Sequence, residues 1–175
     1  MVKLSRKDKE EYIIMPQNSH NIEHRIYTMC MIQRNNDALL IKRPDHRGFP
    51  GYIAPGGKVD FPESILQAAI RESKEETGLH VSNLIFKGLD EYVNPKENVR
   101  YMVFNYWTDS FEGELLLNPP EGELLWVPID EALNLPMQDW FKERFPLFFE
   151  KGTFEIQRVW DRDLDKQVAM TITHT

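Results

Sequence analysis

Between Gly57 and Leu79 the chain reads GKVDFPESILQAAIRESKEETGL, and this segment limits the possible folds more than any other. Pro62 suits the first turn of a helix and Gly78 suits its C-terminal cap. Inside that helix Glu72, Glu75 and Glu76 lie three and four residues apart. At about 100° per residue they share an arc about 100° wide. Leu66, Ala69, Ile70 and Thr77 form another face, so the helix is expected to dock on a core. Three carboxylates on one stripe repel one another and destabilise an isolated helix. One reading is a solvated acidic face neutralised by Arg71 and Lys74. The other is a hard cation held by oxygen ligands, with Gly56 and Gly57 bringing a loop backbone close to the acids. Mg²⁺ suits such a site because it keeps waters and takes phosphate oxygens as further ligands.

The flanks read as strands. Ile22 to Ile41 suits two strands joined near Arg34-Asn35-Asn36-Asp37, since Asn and Asp tolerate left-handed backbone. Residues 44–58, with three prolines and four glycines, form a shaped loop. Strands follow the helix at about Leu84–Val93 and Arg100–Phe111, split by Asn94-Pro95-Lys96. A short strand at Leu124–Val127 precedes a short helix near Asp130–Asn134, which Pro136 should stop. A second helix is expected over Asp139–Glu150. The alternation of Phe154, Ile156, Arg158 and Trp160, then Val168, Met170 and Ile172, predicts a terminal hairpin. Residues 1–20 are polar and read as an irregular arm before a single domain at 21–175. Strands on both sides of a central helix predict an α/β sandwich with a mixed sheet.

The Gly57–Leu79 segment resembles the Nudix box, G-x5-E-x7-R-E-U-x-E-E-x-G-U with U aliphatic. Gly57, Glu63, Arg71, Glu72, Glu75, Glu76, Gly78 and Leu79 stand at the required spacings, eight of nine constrained positions. Ser73 departs from the pattern. It falls on the apolar face and reads as a packing change whose hydroxyl could bond a carbonyl one turn back. The resemblance implies a Nudix-type α/β/α sandwich and metal-dependent hydrolysis of a nucleoside-diphosphate-linked substrate. It implies that Glu72, Glu75 and Glu76 bind Mg²⁺, or Mn²⁺ in its place, with a possible ligand from the Gly56 carbonyl. It also implies that Arg71 orients a glutamate, and that Glu63 supports the loop–helix corner or a metal-bound water; a dipole-favoured acid at the helix start is the alternative for Glu63.

Around the box, Arg43 and Lys58 could meet an anionic substrate or be surface cations. Glu121 and Glu123 could supply a base or an extra metal ligand, or simply be solvated. Gln138 and Asp139 could bond a base edge, or Asp139 could cap the helix. Trp126 packs in the core or lines the cleft. The five histidines show no zinc-like spacing. The approach to the box looks most like the oxidised-purine triphosphate branch, although Ile53 stands where a polar residue often reads the base. A pyrophosphatase for a nucleotide sugar, a dinucleotide or a capped RNA end stays open, as does a Nudix-fold binding module without turnover.

Composition excludes other classes. Lys and Arg number 21 against 28 Asp and Glu, a net charge of −7, which argues against general nucleic-acid binding. No stretch approaches the roughly 20 apolar residues of a membrane span. The charged N-terminus lacks a signal-peptide core, so a cytoplasmic location is expected. The single cysteine, Cys30, reads as a buried thiol in a strand.

Overall fold

The computed structural model describes residues 21–46, 48–161, 163–164 and 166–175. The expected arm at 1–20 lies outside the described residues. In chain order the elements are β1 (Glu23–Arg34), β2 (Asp37–Arg43), β3 (Gly51–Ile53), α1 (Ile65–Thr77), β4 (His80–Ser82), β5 (Ile85–Asn94), β6 (Val99–Thr108), β7 (Ser110–Glu112), β8 (Glu123–Pro128), α2 (Ile129–Ala132), α3 (Asp139–Arg144), a 3₁₀ turn (Phe145–Phe148), β9 (Phe154–Asp161) and β10 (Lys166–His174). Among the described residues, eight strands form one sheet in the order β10-β9-β5-β6-β1-β2-β3, with β8 also paired to β2. The sheet is mixed: β1/β6 and β5/β9 are parallel, the other pairs antiparallel. No helix among the described residues is long and apolar enough to cross a membrane.

The apolar run of β1 is buried on both faces, and its period of two divides the core. Met29 and Met31 join Ala38 and Leu40 under Ala132, Phe141 and Phe145 of the α2–α3 layer. Cys30, Ile32 and Leu39 face Leu79 and Val81, with Ile70 of α1 packed against them. The central sheet is thus covered on both faces, as a sandwich requires.

Helix α1 starts one turn's fraction later than its proline suggests. Ser64 is the N-cap; its hydroxyl accepts from Gln67 N–H while the Gln67 side chain accepts from Ser64 N–H. This reciprocal pair satisfies donors that a helix start leaves open, and Pro62 lies in the preceding turn. Gly78 ends the helix at φ 86°, where a Cβ would lie 2.5 Å from the Glu114 carbonyl oxygen. The docked face also differs in detail. Leu66 is 44% exposed, whereas Ala68, Ala69, Ser73 and Thr77 are fully buried. Small side chains let the helix lie close to the sheet. Ser73 fits there because its hydroxyl donates 2.7 Å to the Ala69 carbonyl, one turn back, which satisfies a buried polar group.

Three further boundaries differ from expectation. The loop at 44–58 contains β3, which pairs with Ile41–Arg43. The expected strand Arg100–Phe111 breaks after Thr108, whose hydroxyl donates to the Ser82 carbonyl and accepts from Ser110 N–H. These bonds turn the chain into β7, which pairs with β4. The expected helix Asp139–Glu150 tightens to 3₁₀ form after Arg144, because Pro146 has no N–H to continue the α ladder.

Removing the capping hydroxyl tests the helix start. Ser64→Ala should lower stability by about 1 kcal/mol, read as a lower midpoint in thermal unfolding. An unchanged midpoint would show that the cap does not hold this end.

Candidate active site

The acidic stripe of α1 meets the loop that precedes it. Gly56 lies against Thr28 and Met29, where a Cβ would lie 2.2 Å from the Thr28 carbonyl oxygen. Backbone bonds fix this approach: Thr28 N–H donates to the Gly57 carbonyl, Cys30 N–H to Pro55 and Val59 N–H to Ile26. The loop thereby reaches the acids. Gly56 N–H donates 2.8 Å to a Glu76 carboxylate oxygen. A Cβ on Gly57 would sit 2.5 Å from the Glu72 carboxyl.

Arg71 organises the surrounding carboxylates. Its Nε and one Nη donate to the two Glu63 oxygens at 3.0 and 2.6 Å. The other Nη donates to Glu72 at 2.8 Å and Glu75 at 3.0 Å. A further donor reaches the Lys58 carbonyl at 3.0 Å. Glu63 also accepts from Asp60 N–H at 2.8 Å, so it braces the loop–helix corner. It precedes the N-cap and so lies outside the first helical turn. The Arg71 guanidinium holds the Glu63 carboxyl below its ordinary range.

The three box glutamates do not share one environment. Glu72 is 15% exposed and Glu75 57%, with Glu75 turned to Arg71. Burial raises the pKa of Glu72 against the pull of Arg71. Burial pushes Glu76 up to about 8; Gly56 N–H opposes that rise, and the nearby charges of Glu72 and Glu121 add to it. Glu121, from the loop before β8, therefore lies near enough for its charge to act on Glu76. Arg43 at the end of β2 pairs with Glu121 at 3.1 Å, and its Nε is a buried donor without a hydrogen-bond partner among the described residues. An open cavity of about 480 Å³ adjoins this corner, lined by Lys42, Arg43, Pro44, Asp45, Gly122 and Glu123.

The crowding bears on metal. Carboxylate oxygens are hard donors, and a buried like-charge cluster gains from a hard cation. Glu72, Glu76 and Glu121 provide such a set. Among the described residues, no group of three or more His, Cys, Asp or Glu side chains already converges at ligand spacing. Glu75 would have to leave Arg71 to join the others.

The remaining expected residues are scattered. Lys58 is exposed. Glu123 is exposed at the start of β8, in register with Lys42. The Gln138 amide donates 3.0 Å to the Pro50 carbonyl, which ties the β3 loop to α3. Gln138 is the N-cap of α3 with no side-chain cap bond, so the expected cap at Asp139 is corrected: Asp139 is the first helical residue. Trp126 stacks on Phe111 with Arg34 over its ring at 4.1 Å. His24, His46, His80 and His174 are exposed, and His20 lies outside the described residues. Sequence reasoning missed Lys42, which lines the cavity; its place beside Arg43 at a strand end was the available signal.

Residues 23–148 match the family model for the NUDIX domain. The Nudix hydrolase YvcI of Bacillus subtilis is 34% identical over 113 residues, 63% of this chain and 70% of YvcI. The asymmetrical bis(5'-nucleosyl)-tetraphosphatase of Rattus norvegicus is 31% identical over 101 residues, 55% of this chain and 67% of that protein. The crystal structure of the mutator MutT protein from Bacillus halodurans superposes with a TM-score of 0.73 at 32% identity, covering 85% of this chain and 97% of that one.

The raised Glu76 value gives a stability test in metal-free buffer. Between the ordinary value of 4.5 and about 8, the unfolded chain releases this proton while the folded chain keeps it. Stability contributed by this group therefore falls as pH rises through that window. Glu76→Gln should remove the fall: little difference at pH 5, and a gain on the order of 2 kcal/mol at pH 8. Melting midpoints of both proteins at the two pH values check it, and parallel pH profiles would contradict the assignment.

Proposed function

The chain belongs to the Nudix hydrolase family, pyrophosphohydrolases that act on nucleoside-diphosphate-linked substrates, and from that premise we propose that it hydrolyses a purine nucleoside triphosphate to the monophosphate and pyrophosphate. One observation supports this reading: Glu72 and Glu76 crowd against Gly56–Gly57 within the field of Glu121, beside an Arg43 Nε–H that has no hydrogen-bond partner among the described residues.

Divalent metal is usual in the family, and Mg²⁺, or Mn²⁺ in its place, suits these donors. Glu72 and Glu76 would hold it, with the Gly56 carbonyl and with Glu75 once turned from Arg71. Such an ion neutralises phosphate charge and acidifies water. The chain's own residues do the rest. Arg71 and Glu63 keep Glu72 in place. Glu121 stands opposite the helix as an extra ligand or proton acceptor, and Glu123 is the other acid of that loop. Arg43 offers its Nε–H to a phosphate oxygen, with Lys58 as a second cation. Asp139 bonds an edge of the base; Gln138 supports that reading through the Pro50 carbonyl, by fixing the β3 loop beside Asp139. Ile53 packs partly buried against the α3-side core, which argues against a polar reader of an oxidised base there.

Hydrolysis should vanish with chelator and return with Mg²⁺ or Mn²⁺; full turnover in metal-free buffer would overturn the mechanism. Glu76→Gln should lower kcat at least about tenfold, about 1.4 kcal/mol of transition-state stabilisation. The substrate is tested on a panel of nucleoside triphosphates, nucleotide sugars, dinucleotides and capped RNA. Pyrophosphate release from a triphosphate is expected, whereas two monophosphate-bearing products from a dinucleotide alone would replace this reading.

Asp139→Ala should lower kcat/KM for the preferred purine nucleotide by about 1–3 kcal/mol equivalent, with little change for a pyrimidine one. An unchanged purine/pyrimidine ratio would remove Asp139 from the site.

A further inference from the structure

The eight-stranded sheet ends on β10, which pairs with β9 and, among the described residues, with no other strand. Its outer side therefore presents a row of backbone N–H and C=O groups about 30 Å long, ready to pair with another strand. The opposite edge, β3, has only three residues, a length that blunts such pairing. β10 lacks the usual protections. It has nine residues and no proline, and its one Lys, Arg, Asp or Glu is Lys166 at the start. Its bulge lies between Gln167 and Ala169, so residues 169–174 stay in unbroken register with β9. Thr175 prolongs the pairing with two backbone bonds to Thr153. Val168, Thr171, Ile172 and Thr173 are β-branched and suit an extended strand.

The side chains are left unfinished as well. Met170 and Ile172 stand opposite Arg158 and Ile156 of β9. Those two partners are buried, Ile156 with Leu147 and Phe154, whereas Met170 is 40% and Ile172 37% exposed. The apolar α3-side face thus reaches the edge and stops half covered. On the opposite face Ala169, Thr171 and Thr173 carry no charge.

We propose that the β10 edge is a self-association surface, and that a second copy of this chain pairs there, antiparallel, about a two-fold axis at Thr171. Such an interface must be self-complementary, and this strand is. Centred on Thr171, Met170 lies opposite the partner's Ile172, and Ala169 opposite the partner's Thr173. Thr171 meets its own copy. Any other centre draws the bulge into the pairing or parts the two apolar residues. No formal charges meet in the paired stretch, residues 169–173. The ends are complementary: Lys166 opens the strand, and at its close Glu150, next to Lys151, lies 3.6 Å from His174. Antiparallel pairing brings each Lys166 to the end that carries the partner's Glu150. The product is one continuous sheet through both copies. One strand from each copy makes a small contact, at the low end of specific interfaces, so the dimer should form with rising concentration. This inference does not depend on which substrate the site takes.

Sedimentation velocity of the full chain, from micromolar to sub-millimolar concentration, tests it. A monomer–dimer equilibrium is expected. Thr171 and its β9 neighbour Gln157 are both exposed, so Thr171→Lys and Thr171→Glu should fold with melting midpoints near wild type. Each places like charges directly opposite one another at the axis, which disfavours pairing. Each variant alone should raise the dimer Kd at least about tenfold, and an equal mixture of the two should recover a dimer, since lysine then meets glutamate. Thr171→Cys supplies a second measurement. Residues directly opposite in an antiparallel pair have Cα atoms about 4.5–5.5 Å apart, within disulfide reach. Mild oxidation should therefore give a covalent dimer through that position, while buried Cys30 stays out of it. A wild type that remains monomeric throughout would overturn the proposal. So would a dimer unaffected by either charge, or a lysine–glutamate mixture that recovers nothing.

Discussion

Arg71 directs each of its five N–H groups at an acceptor: two at Glu63, one each at Glu72 and Glu75, and one at the Lys58 carbonyl. Glu63 in turn holds Asp60 N–H. One planar fork thus joins the loop, the corner and the acidic stripe into a single unit. A lysine has three donors around one point and could not span these acceptors. The close packing of Gly57 on the Glu72 carboxyl follows from this unit, because the corner that Arg71 closes presses the loop backbone onto the helix. Carboxylates that would otherwise repel one another are held at a fixed place on a surface where burial has already raised the pKa of Glu72 and Glu76.

The sheet separates two charged clusters of different make-up. Toward α1, Glu72 and Glu76 crowd with Glu121, with Arg71 paired to Glu72 and Arg43 to Glu121. Toward α3, Arg144 and Arg158 share one buried aspartate, with Glu143 at the rim. Burial pushes Arg144 down to about 10, and Asp90 resists that fall. The net charge of −7 describes neither region. β1 borders both, because Thr28 and Cys30 bond the box loop while Met29 and Met31 pack under the α3 layer.

Local chemistry made much of the fold legible. The Asn35 turn, the Gly78 stop and the terminal hairpin are where the sequence puts them, since left-handed backbone and a period of two are properties of a few neighbouring residues. The errors have one kind of cause. Pro62 looked like a helix start, but the Ser64–Gln67 pair satisfies the open N–H groups better. Leu66 looked like core, but the helix lies on its small residues. The strand through Thr108 looked continuous, but its hydroxyl found the Ser82 carbonyl on a different strand.

The sequence by itself determined the box: which glutamates, arginine and glycines stand at which spacing, because a helix of 3.6 residues per turn converts spacing directly into a shared face. Only the tertiary structure decided how those acids divide. Glu75 turns outward to Arg71, Glu76 is half-buried on Gly56 N–H, and Glu121, 45 positions beyond Glu76, is brought near enough for its charge to act on it. It also decided that Arg25, Tyr101, Tyr92 and Arg158 stand in register across four strands. Strand register is a relation between distant segments, fixed by backbone pairing across the sheet, and no periodicity within a single segment encodes it.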